Sequence, residues 1–78
     1  MTDAKDADKL REKYYHSMGA ALTGEGNLEE AVVFFQKAID ICDTPYAWYG
    51  LAGALRDAGD VAGAVGAMTR AIKLAPRT

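Results

Sequence analysis

A single cysteine, Cys42, excludes a disulfide within the chain. Free cysteine packs as a small apolar residue, so Cys42 is expected half-buried near a helix end, with an intermolecular disulfide as the alternative. The one histidine, His16, has no second His or Cys at ligand spacing, so no metal site is expected. Asp3, Asp6 and Asp8 lack the glycine and terminal Glu of a calcium loop and read as solvated. A net charge of −2 leaves no basic excess to hold a phosphate backbone, which argues against nucleic acid as a partner. No apolar run approaches the roughly 18 residues needed to span a bilayer. Met1–Asp6 has no apolar signal core, so no membrane partner is expected and a cytoplasmic home is. A glycine-rich phosphate loop, a nucleophile elbow and an acid–base pair are all missing. Ser17 follows His16 directly, and neighbours on a helix point apart. The expectation is therefore a chain without catalytic residues or cofactor.

What is present is apolar residue at helical spacing. Of the 78 residues, 50% are hydrophobic and 26% charged, which suits one small domain. A chain this short buries only roughly 60–65% of its unfolded surface. Residues 1–7 are charged and small, a tail or the ragged start of a helix. From about Asp8, Leu10, Tyr14, Tyr15, Met18, Ala21 and Leu22 form a stripe that should face a partner helix. Thr23-Gly24-Glu25-Gly26-Asn27 breaks it with turn and C-cap chemistry. Asn27 and Glu30 are spaced as a capping box for a second helix, which carries Ala31, Val32, Phe35, Ala38, Ile39 and Ile41 and ends near Cys42. Pro45 opens a third helix with Trp48, Leu51, Ala52 and Leu55. After Ala58-Gly59, Asp60 should cap a fourth, with Val61, Ala64, Val65, Met68, Ala71, Ile72 and Leu74, closed by Pro76.

The four segments are two copies of one unit, 8–44 and 45–78. Tyr15, Met18, Gly19, Leu22, Gly26, Ala31, Phe35 and Ala38 recur as Trp48, Leu51, Ala52, Leu55, Gly59, Ala64, Met68 and Ala71, each pair 33 positions apart. A period between about 20 and 50 residues signals a repeat architecture. Ala31, Ala38, Ala64 and Ala71 should let helix backbones approach, while Tyr15, Phe35, Trp48 and Met68 fill the space between.

The spacing resembles the tetratricopeptide pattern Trp-x-x-Leu-Gly-x-x-Tyr, Ala-x-x-x-Phe, Pro. The second copy has Trp48-x-x-Leu51-Ala52-x-x-Leu55, Ala64-x-x-x-Met68 and Pro76; the first has Tyr15-x-x-Met18-Gly19-x-x-Leu22 and Ala31-x-x-x-Phe35. The resemblance covers about residues 12–78 and implies an all-α fold of two tandem helix–turn–helix repeats, a short α-solenoid of four antiparallel helices. The first copy is one residue shorter than the family's usual repeat. The extra solvating helix that often ends such arrays is missing, so an apolar flank is expected around Val65, Met68 and Ile72.

Proteins of this kind bind peptides in a groove lined by the first helix of each repeat. The helical period puts Lys13, His16, Ala20 and Thr23 on that face, and the repeat adds Tyr46, Tyr49, Gly53 and Arg56. Ser17 and Gly50 border both rows. The family's lysine and asparagine clamp for a terminal carboxylate is not matched, since His16, Ala20 and Gly50 stand there. Tyr46 and Tyr49 offer rigid amphipathic surface, or pack between helices. Gly50 and Gly53 would admit a ligand backbone, although Gly63 and Gly66, away from the groove, show that glycine is not confined to it.

The leading expectation is a non-enzymatic module that binds a protein or peptide through Lys13, His16, Ala20, Tyr46, Tyr49, Gly53 and Arg56. The alternative is a homo-oligomer formed through Val65, Met68 and Ile72, stacked on the Tyr14 and Ala21 edge of a neighbour or paired with itself. A third reading is one segment of a longer array. The end just after Pro76 fits it, and the charged start at Met1 points to a natural N-terminus.

Overall fold

The computed structural model describes residues 4–75 as four helices: α1 (Ala4–Glu25), α2 (Leu28–Ile41), α3 (Pro45–Asp57) and α4 (Val61–Leu74). No strand occurs among the described residues. The architecture is the expected all-α helical repeat. α1 packs on α2 and α3 on α4, and α3 also lies against α2 and along α1. α1 starts earlier than its apolar stripe, and Asp8 pairs with Arg11 one turn on at 3.2 Å. The expected stop at Pro76 lies outside the described residues, as does Asp3.

The repeat holds at the level of single backbone bonds. α2 begins and ends 33 positions before α4. Gly26 and Gly59 close the preceding helices at φ 85° and 86°, a left-handed conformation open to glycine at low cost. The Asn27 N–H then reaches the Leu22 carbonyl and the Asp60 N–H the Leu55 carbonyl, both at 2.9 Å. These bonds satisfy carbonyls that a helix end otherwise orphans.

The caps differ. Asp60 accepts from the Gly63 N–H at 2.9 Å, and Thr44 accepts from the Ala47 N–H at 3.2 Å, with Pro45 in the first turn of α3. The expected Asn27–Glu30 capping box does not form: the Asn27 side chain makes no cap bond and donates instead to Glu25 at 3.4 Å. The turn backbone already fixes Asn27, and its amide turns back to the nearest carboxylate.

Leu22, Ala31, Phe35, Leu51, Ala52, Ala54 and Ala67 form the core, with Phe35 the largest fully buried side chain. Phe35 lies between two glycines. Its ring is 2.9 Å from where a Cβ on Gly19 would stand, and a Cβ on Gly50 would collide with it outright. The protein's own core therefore requires Gly50 to be small.

Three expectations of burial fail. Met68 does not fill an inter-helix space but lies on the apolar flank expected with Val65 and Ile72: it is 39% exposed, while Phe35, its counterpart in the first repeat, is 2% exposed. α3 covers α2, and nothing among the described residues covers α4 in the same way. The α1 stripe splits, with Tyr15, Met18 and Leu22 turned inward and Leu10, Tyr14 and Ala21 left exposed. Cys42 is exposed, because α2 ends at Ile41 and Cys42 already has extended backbone.

Candidate binding surface

Of the seven residues expected to line a groove, six fall into two clefts and Ala20 into neither. Lys13, His16 and Tyr46 line the first, with Lys9, Glu12, Ser17 and Cys42, a volume of about 480 Å³. Its floor is a stack: the His16 and Tyr46 rings lie 3.9 Å apart and 11° from parallel. The His16 ring also meets Phe35 edge-on at 5.2 Å, so Phe35 and Tyr46 hold it from two sides. Its Nε2 is buried without a hydrogen-bond partner. His16 is thus half-buried between α1 and α3 while it also lines this cleft.

Tyr49, Gly53 and Arg56 line the second cleft, between α3 and α4, with Ala52, Val61, Ala64, Val65 and Met68, about 330 Å³. Two sets that the sequence reading kept apart meet here: the α3 half of the groove and two residues of the self-association flank. The walls are mostly apolar, and Arg56 supplies the cation at one rim. Gly53 has nothing within 4 Å of a would-be Cβ, so the cleft floor is open there. Ala20 is exposed and lines neither cleft, and Ile72 lies exposed on α4 beyond the second.

The repeat explains this cleft. Positions 33 earlier than Tyr49, Ala52, Ala64, Val65 and Met68 are His16, Gly19, Ala31, Val32 and Phe35. In the first repeat two of those residues meet α3: Tyr46 stacks on His16, and Gly50 lies against Phe35. The α3–α4 cleft is the same receptor left unfilled.

Contacts at two residues, Asp43 and Lys37, are not legible in the sequence. Asp43, in the link between the repeats, accepts from Trp48 Nε1–H through one oxygen and from the Arg70 guanidinium at 2.8 Å through the other. The Trp48 bond, then the Arg70 bond and charge, hold its carboxyl below the usual carboxylate value. Arg70 lies 27 residues away, so only the fold reveals the partner. The Lys37 ammonium stands 5.6 Å from the Tyr15 ring centroid and 5.4 Å from that of Phe34, within cation–π range. Among the described residues no cluster of three metal-binding side chains exists, and no helix is long and apolar enough to cross a membrane.

Residues 12–44 match the family described as tetratricopeptide repeat. No curated protein matches the chain. The matched span covers the second half of α1, all of α2 and the link to α3, and the four-helix architecture fits a tetratricopeptide-like repeat. Such repeats generally mediate protein–protein interaction.

Proposed function

From the tetratricopeptide-like repeat as premise, we propose that this chain is a non-enzymatic interaction module that receives an amphipathic helix in the α3–α4 cleft. One observation carries the reading: Phe35 and Met68 hold the same place in the repeat, yet Phe35 is 2% and Met68 39% exposed. The difference measures what α3 does for the first repeat and what a partner helix would do for the second. Tyr49 and Met68 are the anchors, since large aromatic and flexible thioether side chains carry most of such interfaces. Arg56 at the rim favours a partner with an acidic residue beside its apolar stripe.

The segment that fills the equivalent groove supplies the probe. A fluorescent peptide of residues 44–58 should bind the chain, as read by anisotropy, and Met68→Arg should weaken it at least tenfold. Equal affinity for wild type and Met68→Arg would contradict the reading.

The stacked His16–Tyr46 pair favours a second reading, a peptide lying along Lys13, His16 and Tyr46 in the larger cleft. Loss of probe binding in Tyr46→Ala but not in Met68→Arg would select it.

A further inference from the structure

We propose that the helix taken up by the α3–α4 cleft is α1 of a second copy of this chain, so that copies stack head to tail. The inference rests on the reading of the cleft given above and names its occupant.

Two exposed apolar stripes carry it. On α4, Val61, Val65, Met68 and Ile72 are all exposed. They fall at i, i+4, i+7 and i+11, one face of a helix. On α1, Leu10 and Tyr14 are 66% and 57% exposed, and Ser17 and Ala21 follow at the same spacing, both exposed. The stripes are equal in length and lie on the first and last helices, which do not touch each other.

The internal junction shows how such stripes meet. α3 brings Ala47, Gly50 and Ala54 to the first repeat, and Ala47 and Ala54 end fully buried. The positions 33 earlier on α1 are Tyr14, Ser17 and Ala21, three of the four members of the exposed stripe. On the receiving side, Leu28, Val32, Phe35 and Ile39 of α2 correspond to Val61, Val65, Met68 and Ile72 of α4. Each half of the internal junction thus has its counterpart on an outer face.

The substitutions between the two junctions compensate. Inside the chain, Phe35 demands a glycine at position 50, because a Cβ there would collide with the ring. Between copies, the slimmer and more flexible Met68 would meet Ser17, whose hydroxyl can bond its own helix carbonyl one turn back. The His16–Tyr46 stack would be replaced by Tyr49 and Lys13 of the neighbouring copy, an aromatic face beneath an ammonium. A two-fold pairing of α4 with itself would leave Leu10 and Tyr14 in water, whereas the head-to-tail contact covers both stripes. Such a contact does not close on itself, so it yields a ladder of species with no preferred dimer.

Sedimentation velocity on residues 1–78 over a concentration series tests this. Wild type should pass through dimer to larger species as concentration rises. Ala21→Arg and Val65→Arg change exposed positions and should each sediment as single chains with unchanged circular dichroism. An equimolar mixture of the two should form a dimer and nothing larger, because one intact face of each kind remains. Wild type monomeric at about 1 mM would overturn the proposal, and so would an Ala21→Arg variant that still self-associates. If the 44–58 peptide binds while wild type stays monomeric, the cleft reading stands and the second copy is excluded as its occupant.

Discussion

Glycines 50 and 53 sit one turn apart on α3 and carry opposite predictions. A Cβ at Gly50 meets Phe35, so Gly50→Ala should destabilise the fold by about 1–3 kcal/mol through overpacking. Gly53 has open space around it, so Gly53→Ala should stabilise by about 0.5–1 kcal/mol through helix propensity. Urea unfolding followed by circular dichroism measures both, and equal shifts in the two variants would contradict the packing. The sequence places both glycines on α3 but does not distinguish them, because the colliding ring belongs to another helix. Asp43 makes a prediction in pH. Its carboxyl is held below the usual value, so the stabilisation is complete above the ordinary carboxylate range and is lost as pH falls through the lowered value. Trp48, the single tryptophan, donates to that carboxylate, so its emission should change with acid below about pH 4. In Asp43→Asn that titration should vanish, and its persistence would assign the change to another group.

At the scale of the helix, punctuation was the most legible part of the chain. Gly26 and Gly59 mark the two turns that demand a left-handed residue, and Pro45 marks the start of α3. Periodicity within these breaks marks the four helices, since a residue's place in the 3.6-residue turn needs no partner to be read. Caps were less legible. Asp60 and Asn27 occupy equivalent positions with nearly equal backbone angles, yet only Asp60 accepts a cap bond. Asn27 has a carboxylate neighbour at Glu25, whereas Ala58 stands at the corresponding place, so the competing bond exists in one repeat only. Asp60→Ala should therefore cost about 0.5–2 kcal/mol, the usual range for losing a cap. Asn27→Ala should cost clearly less. Similar losses in thermal unfolding would show that the Asn27 side chain does cap α2.

The whole molecule is a stack in which each helix depends on its neighbours. α2 is held by α1 and α3, while α4 packs on α3 alone among the described helices. Stability in such arrays is a sum of units and nearest-neighbour interfaces, so the end unit opens first. Amide hydrogen exchange should be faster across α4 than across α2, and the reverse order would refute the nearest-neighbour account. Several residues of the two clefts are legible in the sequence, but their grouping is not. The sequence puts Tyr49, Gly53 and Arg56 with His16 and Tyr46, and Met68 in another set. A helix period tells which residues share a face of one helix; it does not tell which faces two helices turn toward each other. Met68 carries two expectations, a filler between helices by its match to Phe35 and part of an apolar flank where no further helix covers α4, and its 39% exposure fits the second.

The most direct measurement of the central claim is a residue-resolved map of amide shifts as the 44–58 peptide is titrated into the isotope-labelled chain. The account predicts shifts at Tyr49, Gly53, Val65 and Met68, on both walls of the α3–α4 cleft. Shifts confined to Lys13, His16 and Tyr46, with the α4 wall unmoved, would contradict it.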